Sequence, residues 1–110
     1  ESLQEAPWAA SPETLRKHAL IATGFADTYS IDCGAKATAE RVRMALASAE
    51  AGKHGYAIAK VRGPLVVVWT PRSQSMRAMG GAEFQRSKQA VLDWIAAQIG
   101  VDAEELRRAG

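Results

Sequence analysis

The sequence predicts a small α+β domain in which helices back a three-stranded, largely antiparallel sheet. Two short segments have strand character and are joined by a Gly-Pro turn, and a third segment alternates apolar and polar residues. Longer segments around them place apolar residues every three or four positions, as amphipathic helices do. The predicted order of elements is α-β-α-β-β-α-α, and 110 residues suffice for one domain with a modest core.

The first helix and the first strand are predicted from local signals. Ser11 is suited to cap free helix amides, and Pro12 suits the first helical position. The helix should run to about Thr23, where Gly24 ends it. Residues 27–33 alternate between apolar and polar side chains, so we expect a strand with one buried and one exposed face.

A second helix is predicted over residues 35–52, closed by Gly52. Its predicted apolar stripe leaves Glu50 outside and is mostly alanine, so the helix should lie close to the surface it covers. The stripe consists of Ala39, Val42, Ala45, Leu46 and Ala49.

Two strands are predicted at residues 56–61 and 65–69, with a hairpin turn at residues 62–64. The second of them is an unbroken apolar run, which is typical of a central strand that is covered on both faces. We therefore expect Leu65 to Trp69 to form the middle of the core.

The last predicted elements are a long helix from about Gly81 to Gln98 and a short helix over residues 102–109. Gly100 separates them with a spacing that a helix-turn-helix also has. The second helix of that pair begins with acidic residues, which phosphates would repel, so we expect a structural hairpin. The apolar face of the long helix consists of Phe84, Val91, Leu92, Ile95 and Ile99.

The organisation and location of the chain follow from composition. Residues 1–10 lack periodicity and are expected to form a flexible tail, followed by a single domain over residues 11–110. The chain begins with Glu1 rather than Met, so we expect a domain excised from a longer protein. Cys33 is the only cysteine, which excludes an internal disulfide and favours a cytoplasmic address. No apolar run approaches the length needed to span a membrane, and the alanine- and arginine-rich composition suggests a bacterial protein.

Positive charge is concentrated in one third of the chain. The net charge is +2, but residues 53–88 carry seven basic residues against Glu83 alone, a local net charge of +6. This pattern predicts a non-catalytic accessory domain that contacts DNA or RNA phosphates through a basic hairpin and loop, with serine and glutamine as additional donors. The predicted contact residues are Lys60, Arg62, Arg72, Ser73, Gln74, Ser75, Arg77, Arg86 and Lys88.

A protein–protein docking module is the alternative hypothesis. Its basic loop would meet an acidic partner, and large apolar side chains would anchor the contact. The candidate anchors are Trp8, Trp94, Met76 and Met79.

No catalytic constellation is evident in the sequence. His18, His54 and Cys33 lack the spacing of metal or nucleophile motifs, and no P-loop or other cofactor motif occurs. We therefore predict no metal and no cofactor. A hydrolase or nuclease would have to depend on Asp27, Asp32 or His54, without a second acid in the position that a metal-dependent nuclease requires.

Overall fold

The computed structural model describes residues 11–100, which divide into two compact units. The helical unit comprises residues 11–25 and 72–100, and the sheet unit comprises residues 26–71. The predicted tail at residues 1–10 and the predicted last helix at residues 102–109 lie outside the described residues. The expectation of one domain remains a prediction.

The predicted fold class is confirmed within the described residues, which form four helices and one three-stranded antiparallel sheet in the order α-β-α-β-β-α-α. The fourth helix was predicted, but the third is a single turn in the segment expected to be a loop. The elements are α1 (Pro12–Ala22), β1 (Ala26–Asp32), α2 (Lys36–His54), β2 (Ile58–Arg62), β3 (Leu65–Pro71), α3 (Met76–Met79) and α4 (Gly81–Ile99). None of these helices is both long and apolar enough to cross a membrane.

The sheet has the strand order β1-β3-β2, so the apolar strand β3 is central, as predicted. Both neighbours run antiparallel to it, which makes β1 and β2 parallel to each other with β3 between them. A two-residue turn joins β2 to β3. Gly63 has φ 58° at the first central position, and Pro64 follows with its ring-fixed negative φ, the combination of a type II′ turn. Such a turn matches the twist of the two strands that it connects.

The core of the sheet unit lies between α2 and one face of the sheet. Helix α2 packs against β2 and β3, where Val66 and Val68 have no exposed surface. Their buried neighbours are small: Ala39 on α2 is fully buried, and Ala59, which pairs with Val68 from β2, is 7 % exposed. Burial of a valine side chain stabilises a fold by about 1.5–3 kcal/mol. The coverage of β3 is uneven, because Val67 and the other residues on its opposite face are only half-buried.

Helix α2 differs from its prediction in its end and in its buried stripe. Gly52 lies inside the helix, and Gly55 ends it in the left-handed conformation with φ 83°. Ala45 and Ala49 are exposed, whereas Glu50 is almost buried, with a side chain that is 12 % exposed. The stripe that faces the sheet therefore continues from Ala39 through Leu46 to Glu50, at the spacing of three to four residues that one face requires.

The helical unit is held together by α1 and α4. Ser11 caps α1 as predicted: its side chain accepts a hydrogen bond from the amide of Thr14, whose own hydroxyl accepts one from the amide of Ser11. The core consists of Ala19 and Leu20 on α1 and Val91 on α4, all at most 7 % exposed. Phe25, Trp94 and Ile95 pack around it.

Candidate nucleic-acid interface

The nine predicted contact residues are divided between the two units. Lys60 and Arg62 belong to β2 of the sheet unit, and the other seven belong to the helical unit.

Lys60 and Arg62 extend from the sheet face opposite α2. Residues two apart on a strand share a face, and residues paired across strands share it too. Lys60 pairs with Val67 and Arg62 with Leu65, whereas Ala59 and Val61 face the helix. We call the surface opposite α2 the far face of the sheet. It contains Thr28, Ser30, Asp32, Ile58, Lys60, Arg62, Leu65, Val67 and Trp69.

The far face has a graded chemistry from edge to edge. Polar residues of β1 and the two cations of β2 are exposed, and the apolar residues of β3 between them are half-buried. Trp69 lies opposite Ile58 on one side and Thr28 on the other, so an aromatic ring is placed on the same face as both cations. This arrangement combines a basic edge with an apolar, aromatic centre.

Within residues 11–100, the cations of the far face have no carboxylate partner. Neither Lys60 nor Arg62 forms an ion pair with any of the residues 11–100. Asp32 is the one carboxylate in this face, and it is two strands away from Arg62, about 10 Å across the sheet. Its carboxylate accepts a 2.9 Å hydrogen bond from the amide of Gly34 in the turn after β1. The charge of the β2 edge is therefore available to an external anion.

Arg72, in contrast, is paired within the helical unit. Its Nη1 lies 2.6 Å from Oε2 of Glu83, and its Nη2 donates a 3.5 Å hydrogen bond to Oε1 of the same carboxylate. Its amide also donates a 3.0 Å hydrogen bond to the carbonyl of Phe25. Glu83 lies in the first turn of α4, where a negative charge also complements the helix dipole. Arg72 thus links the segment that follows β3 to α4, and Glu83 largely neutralises its charge.

Gln74 joins α1 to α4 through a chain of hydrogen bonds. Nη1 of Arg16 donates to Oε1 of Gln74 at 2.7 Å, and Nε2 of Gln74 donates to Oγ of Ser87 at 2.9 Å. Ser87 has no exposed surface and donates its own proton to the carbonyl of Phe84 at 2.7 Å. Because arginine only donates, the amide oxygen must face Arg16 and the amide nitrogen must face Ser87.

The two serines beside Gln74 have different environments. Ser75 is the N-cap of α3, and its hydroxyl accepts a 3.1 Å hydrogen bond from the amide of Ala78. Ser73 is exposed and forms no side-chain hydrogen bond with any of the described residues. Of the three predicted donors in this segment, Gln74 and Ser75 are bonded within the described part of the chain and Ser73 is not.

The remaining three cations are exposed but do not share one surface. Arg77 lies on α3. Arg86 and Lys88 are two residues apart on α4, which places them about 160° apart around the helix axis. Nζ of Lys88 lies 5.3 Å from the centroid of the Phe84 ring, a cation–π distance. None of the three forms an ion pair with the described part of the chain.

The histidines and the cysteine form no metal site: residues 11–100 contain no group of three or more His, Cys, Asp or Glu that could hold an ion. Burial lowers the pKa of His18, whose ring centroid lies 5.2 Å from that of Trp94. Cys33 packs against the core of the sheet unit. Nε2 of His54 lies 3.5 Å from Glu50 of the same helix.

Three polar residues of structural importance were not found from the sequence. The Tyr29 hydroxyl donates to Glu50, and this hydrogen bond raises the pKa of Tyr29 to about 12. Ser87 lies between Phe84 and Val91 in helical spacing, so its place on the buried face was open to prediction. Arg16 was not, because its partner Gln74 is 58 residues away.

Comparisons of the chain with protein-family models, with curated proteins and with solved structures give no match.

Proposed function

We propose that this chain is a non-catalytic accessory domain that contacts nucleic-acid phosphates, with Lys60 and Arg62 as the principal contacts. The observation that carries the proposal is the pair of exposed cations on one side of β2, without a carboxylate partner among the described residues. Phosphate contacts of this kind supply most of the affinity of sequence-independent binding.

The far face favours a single strand over a duplex. Trp69 lies on the same face, diagonal to Lys60 across the adjacent strand, where a base could stack while the phosphates reach the basic edge. Thr28 and Ser30 on β1 add exposed hydroxyl groups to the same face. Bases are accessible for stacking only when they are unpaired. We therefore infer preference for single-stranded DNA or RNA without strong sequence selectivity.

The basic loop contributes less to this proposal than its charge suggests. Arg72 is paired with Glu83, Gln74 bonds Arg16 and Ser87, and Ser75 caps α3. A residue that already satisfies a local partner would lose that bond on contacting phosphate.

The test is a binding titration of the full chain with a short labelled oligothymidine at low salt, in which fluorescence anisotropy of the label measures binding. The double variant Lys60→Ala/Arg62→Ala should lose at least tenfold in affinity, since each charged contact is worth more than about 1 kcal/mol. The matched control is Lys36→Ala/Arg41→Ala, which removes the same charge from exposed positions on α2. Absence of binding by the wild type, or equal losses in both double variants, would refute the proposal.

A protein-docking module is the second candidate, and one observation favours it. The Met76 side chain is 58 % exposed and is followed by the exposed Arg77 on α3. Met79 and Trp94, the other described anchors, are half-buried. If docking is the function, Met76→Ser/Arg77→Ala should abolish capture of a nuclease-treated protein partner, whereas Lys60→Ala/Arg62→Ala should leave that capture unchanged.

A further inference from the structure

The helical unit contains a groove of about 420 Å³ with a polar rim and an apolar floor. Its volume lies in the range of small-molecule sites. The lining residues are Arg16, Gln74, Phe84, Lys88, Val91 and Leu92. Of these described lining residues, two are cations, one is an amide, three are apolar, and none is a carboxylate.

The polar rim retains unused hydrogen-bond donors. Lys88 has the Phe84 ring as its neighbour and no carboxylate among the described residues. Gln74 uses one of its two amide hydrogens on Ser87. Arg16 uses three of its five N–H groups, two toward Glu13 and one toward Gln74. Every spare group is a donor. Glu13 already pairs with the Arg16 guanidinium, but Lys88 keeps a charge without an ion-pair partner among residues 11–100, so the rim is suited to an acceptor that carries negative charge.

The floor selects the remainder of the ligand. Phe84, Val91 and Leu92 present an aromatic ring and two branched side chains on one side of α4, at the spacing of its apolar face. An apolar chain that covers them gains the free energy of removing their surface from water. A small inorganic anion would leave this floor exposed.

We propose that this groove binds an aliphatic carboxylate, with the carboxylate between Lys88 and Arg16 and the alkyl chain along Leu92 and Val91. The carboxyl terminus of a peptide has the same charge but is a poorer fit. The lining residues of α4 lie inside the helix, and their amides bond to carbonyls four residues earlier, so no backbone donors are free to pair with a peptide.

The binding site is independent of the far face, because it lies wholly within the helical unit. It also gives Lys88 a role different from that predicted from the sequence. Lys88 lies on the side of α4 that lines the groove. Arg86 has the same charge and lies on the other side of the helix, so it provides a control.

The experiment is a titration of the full chain with decanoate below its critical micelle concentration, in which changes of amide chemical shifts in NMR spectra measure binding. Saturable shifts should be confined to the amides around Phe84, Lys88 and Leu92. Lys88→Gln should weaken binding by about tenfold, the loss expected for one charge-assisted contact, and Arg86→Gln should change it less than twofold.

Two further ligands separate the parts of the proposal in the wild-type protein, without any risk of a folding defect. Decanol has the chain without the charge, and acetate has the charge without the chain. Both should bind at least tenfold more weakly than decanoate. Equal binding of decanol, equal losses in the Lys88 and Arg86 variants, or decanoate shifts that do not saturate would each overturn the proposal.

Discussion

Replacement of Gln74 by alanine distinguishes a structural role for this residue from the phosphate contact that its sequence context predicts. The substitution removes a 2.7 Å bond from Arg16 and a 2.9 Å bond to Ser87. A bond to a charged group contributes about 1.5–3 kcal/mol and a neutral one about 0.5–1.5 kcal/mol. The Arg16 side chain is 32 % exposed and remains paired with Glu13. Water can therefore replace part of the hydrogen-bond energy that Arg16 loses with Gln74. We expect a net loss of about 2 kcal/mol.

Hydrogen exchange of the α4 amides measures this loss locally. A destabilisation of about 2 kcal/mol corresponds to roughly 30-fold faster exchange through unfolding. The matched control is Ser73→Ala, one residue away, where the exposed hydroxyl has no side-chain hydrogen bond among the described residues and exchange should change less than twofold. If Gln74→Ala exchanges at the rate of Ser73→Ala, or lowers oligothymidine affinity without changing exchange, the network does not stabilise the unit and the reasoning is refuted.

Four other substitutions test the fold of the sheet unit, each by denaturant unfolding. Gly52→Ala should stabilise the protein by about 0.5–1 kcal/mol, because Gly52 lies inside α2 with open space around it. Gly55→Ala should destabilise the protein by about 1 kcal/mol, because Gly55 has φ 83°. Destabilisation by Gly52→Ala together with stabilisation by Gly55→Ala would contradict the assigned helix end. Val68→Ala should cost about 2–3 kcal/mol through lost burial and a cavity in the core, and a cost below about 1 kcal/mol would contradict the packing. The pKa of Tyr29 is raised to about 12 in the folded state, so the stability that its hydrogen bond to Glu50 contributes should be fully present below about pH 10 and lost as the pH rises toward 12. Because Tyr29 is exposed, this contribution is at most about 1 kcal/mol. Tyr29→Phe should remove the pH dependence of the unfolding free energy in this range.

The elements of the sheet unit were largely predictable because their signals are local. The apolar run of β3 indicated its central place, and Gly63 and Pro64 marked the hairpin. The end of α2 was predicted three residues early, since a glycine inside a helix and a glycine at its end look alike in sequence. Helix α3 has only four residues, too few to show a helical period.

The candidate sites were predictable only where spacing decides the geometry. The period of a strand places Lys60 and Arg62 on one face, and the helical period separates Arg86 from Lys88. Tertiary pairing left no comparable trace. Which carboxylate takes up Arg72 depends on how the chain folds back, and no local pattern indicates it.

The salt dependence of oligothymidine binding tests the central claim most directly, because it counts the phosphates that the protein neutralises. A single-stranded contact contributes about 0.7 to the slope of log affinity against log salt concentration. Lys60→Ala/Arg62→Ala should therefore bind with a slope about 1.4 shallower than that of the wild type, and Lys36→Ala/Arg41→Ala should keep the wild-type slope. Equal slopes of log affinity against log salt concentration for the wild type and Lys60→Ala/Arg62→Ala would show that the cations of the far face do not contact phosphate.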